Sequence, residues 1–121
     1  MNKYVFRVNE DNNVQEFEID LNNFEELKKL LGGFPTIVRT KKICEALGPD
    51  TVMIVDDDGF EKQLRTNLVG SLMYAPGVIV GPVIFCRDIT GELFPFYKSD
   101  VDRIKWHLII NYGCTDEYYD I

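Results

Sequence analysis

Three consecutive carboxylates, Asp56, Asp57 and Asp58, form the densest cluster of chemically useful side chains in this chain. Carboxylate oxygens are the ligands that hard cations such as Mg²⁺ and Ca²⁺ prefer in proteins. The spacing does not fit an EF-hand, whose ligands are spread over a much longer loop. Gly59 follows directly, and an Asp-Gly pair suits a tight hairpin. We therefore predict a solvated hairpin turn here and no metal site.

A nucleophile and a base are also present, in Cys86 and His107. A histidine within hydrogen-bond reach activates the thiol of many cysteine enzymes. However, the chain has one histidine, and its three cysteines, which include Cys44 and Cys114, are far apart and form no CxxC pair. We therefore predict reduced, structural cysteines in a protein that is not an enzyme and uses no cofactor.

The glycines at Gly77 and Gly81 invite comparison with a phosphate-binding loop. A P-loop requires a Lys and a Ser or Thr after its glycines, and a dinucleotide fingerprint opens a helix. Here the glycines, with Pro82 next to the second, interrupt an apolar stretch. We interpret them as structural breaks in a strand.

Three polar residues, Arg65, Asn67 and Ser71, are the best candidates for a small-ligand site. Asn67 is placed to cap a short helix. Arg65 lies where a guanidinium could bind a phosphate or carboxylate beside that helix N-terminus. A Lys from the basic segment 39–42 would complete such a pocket.

Tyrosines surround the end of the predicted last helix, with Tyr112 just after it and Tyr118 and Tyr119 near the chain end. The last two stand among acidic residues. Because Tyr and Trp dominate the centres of protein interfaces, we predict that these tyrosines form a partner-binding surface. A frayed chain end is the alternative.

Overall charge narrows the class of partner. The net charge of the 121-residue chain is −7, and Arg39, Lys41 and Lys42 form its nearest approach to a basic patch. Nucleic-acid binding depends on a clear basic footprint, so we expect no direct DNA or RNA binding. The sequence has neither an apolar run long enough for a membrane span nor a secretory start. We predict a cytoplasmic protein.

Residue periodicity predicts the elements that position these groups. Alternating or apolar runs predict strands over residues 3–8, 14–19, 34–40, 51–55, 60–65, 78–86 and 94–97. Capping residues and helical spacing predict helices over residues 22–31, 67–74 and 99–110. Residues 41–47 fit either a strand continuation or a short helical turn.

This order predicts a single α+β domain over residues 1–114, followed by an acidic aromatic tail over residues 115–121. We expect one mostly antiparallel sheet with the helices at about 22–31 and 99–110 packed on one face. The strand at 51–55 is apolar on both faces and should be central. The strand from Val78 to Cys86 contains Pro82, so we predict that it lies at an edge or carries a bulge at Gly81-Pro82. As an edge strand it could pair between protomers in a homo-oligomer.

Several short features occur in a characteristic order: a helix end at Leu31-Gly32-Gly33, an apolar-acidic hairpin over residues 52–59, a polar return to Thr66-Asn67, a small residue at Ser71, an apolar strand over 77–84 and an amphipathic helix over 101–110. In this order the chain resembles a domain-of-unknown-function family of small uncharacterised proteins, common in phages, plasmids and their bacterial hosts. It departs from the family at Ser71, where Ala is more usual. The resemblance implies a mobile-element setting and an accessory role, with no catalytic residues to transfer.

These observations predict a non-enzymatic accessory protein that binds and modulates a host protein, in host takeover or counter-defence. The alternative is a protein that binds or sequesters a nucleotide-like small ligand through Arg65, Asn67 and Ser71. Deleting the tail should abolish partner capture in the first case and leave ligand binding unchanged in the second.

Overall fold

Alternating apolar and polar residues near the start of the chain form a β-hairpin. In the computed structural model, which describes residues 4–116, strand β1 covers Tyr4–Val8 and β2 covers Asn13–Glu18. The strands pair antiparallel. Asn12 in the turn takes φ 65°, a left-handed conformation that Asn adopts more readily than most residues.

The other elements follow in an α+β order. They are α1 at Phe24–Leu31, β3 at Pro35–Val38, α2 at Lys41–Leu47, β4 at Thr51–Asp56, α3 at Leu68–Tyr74, β5 at Val83–Ile89, β6 at Glu92–Phe94, α4 at Lys98–Tyr112 and β7 at Thr115–Asp116. Residues 41–47, which the sequence left open, are thus helical. The longest helix has 15 residues, and no helix in the described part of the chain has both the length and the hydropathy needed to cross a bilayer.

Local signals set the ends of the two main helices. Asn23 caps α1, its side chain accepting a hydrogen bond from the Glu26 N–H at 3.2 Å. Gly32 ends α1 with φ 86°, and Gly113 ends α4 with φ 72°, conformations that glycine adopts at low cost. Both predicted helices are confirmed, with α4 extending to Tyr112.

The strands form one mostly antiparallel, seven-stranded sheet, as predicted. Its order is β3-β4-β5-β1-β2-β7, with β6 paired to β5. The β2–β7 pair is parallel. Strand β4 is central, as predicted, and all its residues are buried. Strand β7 extends the sheet two residues into the segment predicted as a tail, whereas Tyr118 and Tyr119 lie outside the described residues.

Helices cover both faces of the sheet, which corrects the prediction of one covered face. Met53 and Val55 of β4 pack in a cluster with residues of α2, α3 and α4. Val52 and Ile54 point the opposite way and pack with residues of α1. Because successive side chains of a strand alternate between faces, a strand apolar at every position requires two apolar layers. Each large side chain fully buried there contributes about 1.5–3 kcal/mol.

The predicted return strand at residues 60–65 is wrong. Residues 57–63 form a series of turns, and residues 64–65 belong to no strand. Gln63 takes φ 59°. The Lys62 N–H donates to the Asp58 carbonyl at 3.0 Å, and the Leu64 N–H to the Gly59 carbonyl at 3.1 Å. Backbone groups that a hairpin would direct across a ladder are thus used within the turn segment.

The prediction of an edge strand from Val78 to Cys86 is also wrong. Strand β5 begins at Val83 and pairs with β4 on one side and with β1 on the other. Pro82 immediately precedes the strand, so its missing N–H removes no hydrogen bond from the ladder. Neither side of β5 is open for pairing between protomers.

Candidate functional site

The acidic turn places one carboxylate inside the protein. The Asp56 side chain is 1% exposed and accepts a hydrogen bond from the Lys62 ammonium at 2.6 Å. It also accepts one from the Asp58 N–H at 2.9 Å. The prediction of a solvated turn is therefore wrong for Asp56, because Lys62 folds back to neutralise it. Within residues 4–116, no group of three or more His, Cys, Asp or Glu side chains is arranged to hold a metal ion.

Cys86 and His107 lie on opposite sides of the sheet. Cys86 packs in the cluster that includes α1, whereas His107 belongs to α4, whose buried residues pack in the other cluster. Burial raises the pKa of the Cys86 thiol to about 12, and the neighbouring Arg87 charge offsets only part of this increase. The two residues do not form a nucleophile–base pair.

Asn67 is fully buried and caps α3, as the sequence predicted. Its carbonyl oxygen accepts from the Gly70 N–H at 2.9 Å. Its amide group donates to the carbonyls of Val8 and Gly81, each at 2.9 Å. Every strong hydrogen-bonding direction of this side chain except one acceptor position is thus used to join three chain segments.

The other two residues predicted to bind a ligand, Ser71 and Arg65, are used in contacts within the protein. The Ser71 hydroxyl accepts from the Ile79 N–H at 2.9 Å and donates to the Ile79 carbonyl at 3.1 Å. Arg65 is exposed, and its backbone carbonyl accepts from the Gly81 N–H at 2.8 Å. The polar groups predicted to bind a ligand therefore anchor the loop before β5.

Residues of the basic segment 39–42 also form ion pairs within the protein. The Arg39 guanidinium forms an ion pair with Asp88, whose side chain is 1% exposed. The Lys41 side chain is 92% exposed, and its ammonium lies 3.8 Å from a Glu45 carboxylate oxygen. Such a surface ion pair contributes little to stability. The arrangement holds Arg39 against β5 and leaves Lys41 in solvent.

A broad cleft of about 660 Å³ lies between α1 and the acidic turn. Lys28, Lys62 and Phe34 contribute to its lining. The Lys28 ammonium lies 4.5 Å from the centre of the Phe34 ring, and the Lys62 ammonium is bound to Asp56. The ammonium groups of Lys28 and Lys62 in this cleft thus already contact other groups of the protein.

A second cleft, of about 440 Å³, lies on the outer side of the helices α2, α3 and α4. Ala46, Leu72, His107 and Tyr112 are among its lining residues. The His107 and Tyr112 rings are 5.7 Å apart and tilted by 50°. Burial raises the pKa of the Tyr112 hydroxyl. Tyr112 is thus partly packed in the position where the sequence predicted a partner contact.

Exposed apolar side chains occur in pairs spaced four residues apart on α3 and α4, two of the helices that line this cleft. Leu68 and Leu72 of α3 are 49% and 41% exposed, and Trp106 and Ile110 of α4 are 51% and 73% exposed. Leu68, Leu72 and Ile110 were not among the site residues predicted from the sequence. Their helical spacing was visible, but which helix faces stay uncovered depends on the packing of all three helices.

Comparison of the chain with protein-family models, with curated proteins and with solved structures gave no match. The family resemblance and the mobile-element setting therefore stay predictions.

Proposed function

We propose that this chain is a non-enzymatic protein-binding module, and that it docks a partner protein on the helix-layer surface. We define this surface by Leu68, Leu72, His107, Ile110 and Tyr112. The setting implied by the family resemblance is part of the proposal: a phage or plasmid accessory protein that binds and modulates a host protein.

The observation that supports this proposal is an aromatic cleft between three helices, two of which carry exposed apolar residues. Single apolar residues are common on protein surfaces and need no explanation. Here, however, Leu72 lines a cleft together with Tyr112. Leu68 lies one helical turn before Leu72 on α3, and Ile110 of α4 is 73% exposed. Interfaces concentrate such aromatic and aliphatic anchors at their centres.

Polar residues surround this apolar centre. Lys42, Glu45 and Asn111 line the same cleft, and Asn111 is hydrogen-bonded to the His107 ring at 3.2 Å. A polar rim around apolar anchors is the usual composition of a transient interface. The net charge of −7 would accelerate encounters with a basic partner.

The test is quantitative capture of partner protein from a bacterial lysate by tagged variants. We expect Ile110→Asp to reduce capture of a specific polypeptide at least about tenfold, the change that corresponds to 1.4 kcal/mol. Tyr97→Asp is the matched control, because Tyr97 is 52% exposed but lies at the opposite end of α4 from Ile110. It should capture as much as the unmodified chain.

Equal capture by both variants would contradict the helix-layer surface. Failure of the unmodified chain to capture any polypeptide would contradict the protein-binding function in that host. Circular dichroism of each variant verifies that the fold is retained.

A further inference from the structure

Strand β3 lies at one end of the sheet order, and among the strands of residues 4–116 it pairs only with β4. The Asp57 N–H donates to the Phe34 carbonyl at 2.9 Å, so Phe34 directs its hydrogen-bonding groups towards the β4 side. In an antiparallel ladder, alternate residues direct these groups to the same side. The backbone N–H and carbonyl groups of Thr36 and Val38 therefore point towards β4, as those of Phe34 do.

The intervening residues direct their backbone groups outwards. The outer edge thus offers the Pro35 carbonyl, both backbone groups of Ile37 and, one residue beyond the strand, the N–H of Arg39. Pro35 has no N–H to offer, which is why a proline is tolerated at this position of an edge strand. The edge has donors and acceptors for a further strand.

Apolar clefts lie on both sides of this edge. On the α1 face, Ile37 and Phe24 are 41% and 50% exposed and help to line a cleft of about 280 Å³. On the opposite face, Val38, Tyr74 and Val78 help to line a cleft of about 210 Å³. Because side chains of a strand alternate between faces, an added strand would place its side chains beside both clefts.

The two ends of the edge carry opposite charges. Asp57 is exposed beside the start of β3, where it accepts a hydrogen bond from the Thr36 hydroxyl at 3.0 Å. Lys41 and Lys42 are exposed just beyond its end. An added antiparallel strand would match this pattern if it carried an acidic group near its first residue and basic groups near its last. The edge of a second copy of this chain has that property.

We propose that β3 is the interface with a second copy of this chain. The two β3 strands pair antiparallel about a two-fold axis at Ile37, so the two sheets become continuous. Each Ile37 N–H donates to the Ile37 carbonyl of the other copy, and each Arg39 N–H donates to the opposite Pro35 carbonyl. The arrangement brings each Lys41 towards the other copy's Asp57. This interface is independent of the helix-layer surface.

The test is the mass of the full chain in solution, measured by light scattering and by sedimentation over a concentration series. We expect twice the chain mass of 14.0 kDa. Ile37→Pro removes the outward N–H but no hydrogen bond to β4, so it should give a folded protein of single mass. Ile37→Lys places like charges opposite each other and should have the same effect.

A charge exchange separates this pairing from a generally adhesive surface. Lys41→Glu and Asp57→Lys should each weaken the dimer, and the double variant should restore it. Circular dichroism and melting curves show whether each variant is folded.

Either of two outcomes would overturn the proposal: single mass for the unmodified chain at all concentrations, or a dimer that Ile37→Pro leaves intact. A single mass together with partner capture that Ile37→Pro abolishes would also overturn it and assign the edge to a strand of another protein.

Discussion

At the scale of single residues, Asn67 shows how a polar side chain can specify the fold from a fully buried position. Its three hydrogen bonds join the end of β1, the start of α3 and the backbone at Gly81. The Gly70 N–H donates one of these hydrogen bonds to Asn67. Gly70 lies so close to β5 that an added Cβ would be 3.1 Å from the Val83 side chain. Asn67 thus fixes the start of a helix that packs directly on the sheet.

We predict that Asn67→Ala lowers the free energy of unfolding by about 3 kcal/mol, because it removes a cap and leaves buried carbonyls unpaired. Asn23→Ala is the matched control, since Asn23 also caps a helix but is exposed. It should cost about 1 kcal/mol. Chemical denaturation measures both, and equal losses would show that the amide donors of Asn67 contribute nothing.

At the scale of elements, the turns after β4 depend on one side-chain contact. Lys62 reaches back to Asp56 at 2.6 Å and to the Gly32 carbonyl at 3.1 Å. It thereby ties the turn segment to the end of α1. Because the Asp56 carboxylate is nearly inaccessible to water, it depends on Lys62 for its charge compensation.

Lys62→Met should therefore destabilise the protein by about 2 kcal/mol, the scale expected when a buried acceptor loses a charged partner. Lys29→Met removes an exposed lysine of α1 and should change stability by less than about 0.5 kcal/mol. Thermal and denaturant unfolding of both variants gives the comparison. A loss for Lys62→Met no larger than that for Lys29→Met would refute the role of this contact.

The same turns explain how far the sequence could be interpreted. Helix caps such as Asn23 and Gly32 are local signals, and a strand apolar on both faces predicts its own central position, so these predictions are confirmed. Residues 60–65 resemble a strand in pattern alone. The turns found there are stabilised by local backbone hydrogen bonds and by the contact between Lys62 and Asp56, which residue periodicity does not encode.

The candidate surfaces were less accessible from sequence. The spacing of Leu68 and Leu72 predicts that they share a helix face, but whether that face is covered depends on the positions of α2 and α4. The place of β3 at the sheet edge likewise depends on which strands pair across the whole chain. Pro82 led to a wrong prediction because a proline just before a strand and one inside an edge strand look alike in sequence.

At the scale of the whole molecule, the two apolar layers should separate the cysteines by reactivity. Cys86 and Cys114 are buried, and burial raises the pKa of each thiol to about 12. Cys44 is only partly buried. Because the thiolate is the reactive form, a buried thiol of raised pKa is protected at pH 8.

We predict that the native chain reacts with one equivalent of an aromatic disulfide reagent at pH 8, and that the denatured chain reacts with three. Cys44→Ser should abolish the native reaction and leave two equivalents after denaturation. Absorbance of the released thiolate measures the stoichiometry. Rapid reaction of Cys86 or Cys114 in the native protein would mean that the corresponding layer opens readily.

The antiparallel pairing of β3 also determines the direction in which a dimer would present its surfaces. Neighbouring antiparallel strands are related by an axis perpendicular to the sheet, so α2, α3 and α4 of both copies would lie on the same face. Two identical docking surfaces would then point the same way. Bivalent attachment of this kind can raise apparent affinity by about 10²–10⁴ without any new contact. The target best matched in geometry is one that displays its own binding sites in symmetric pairs.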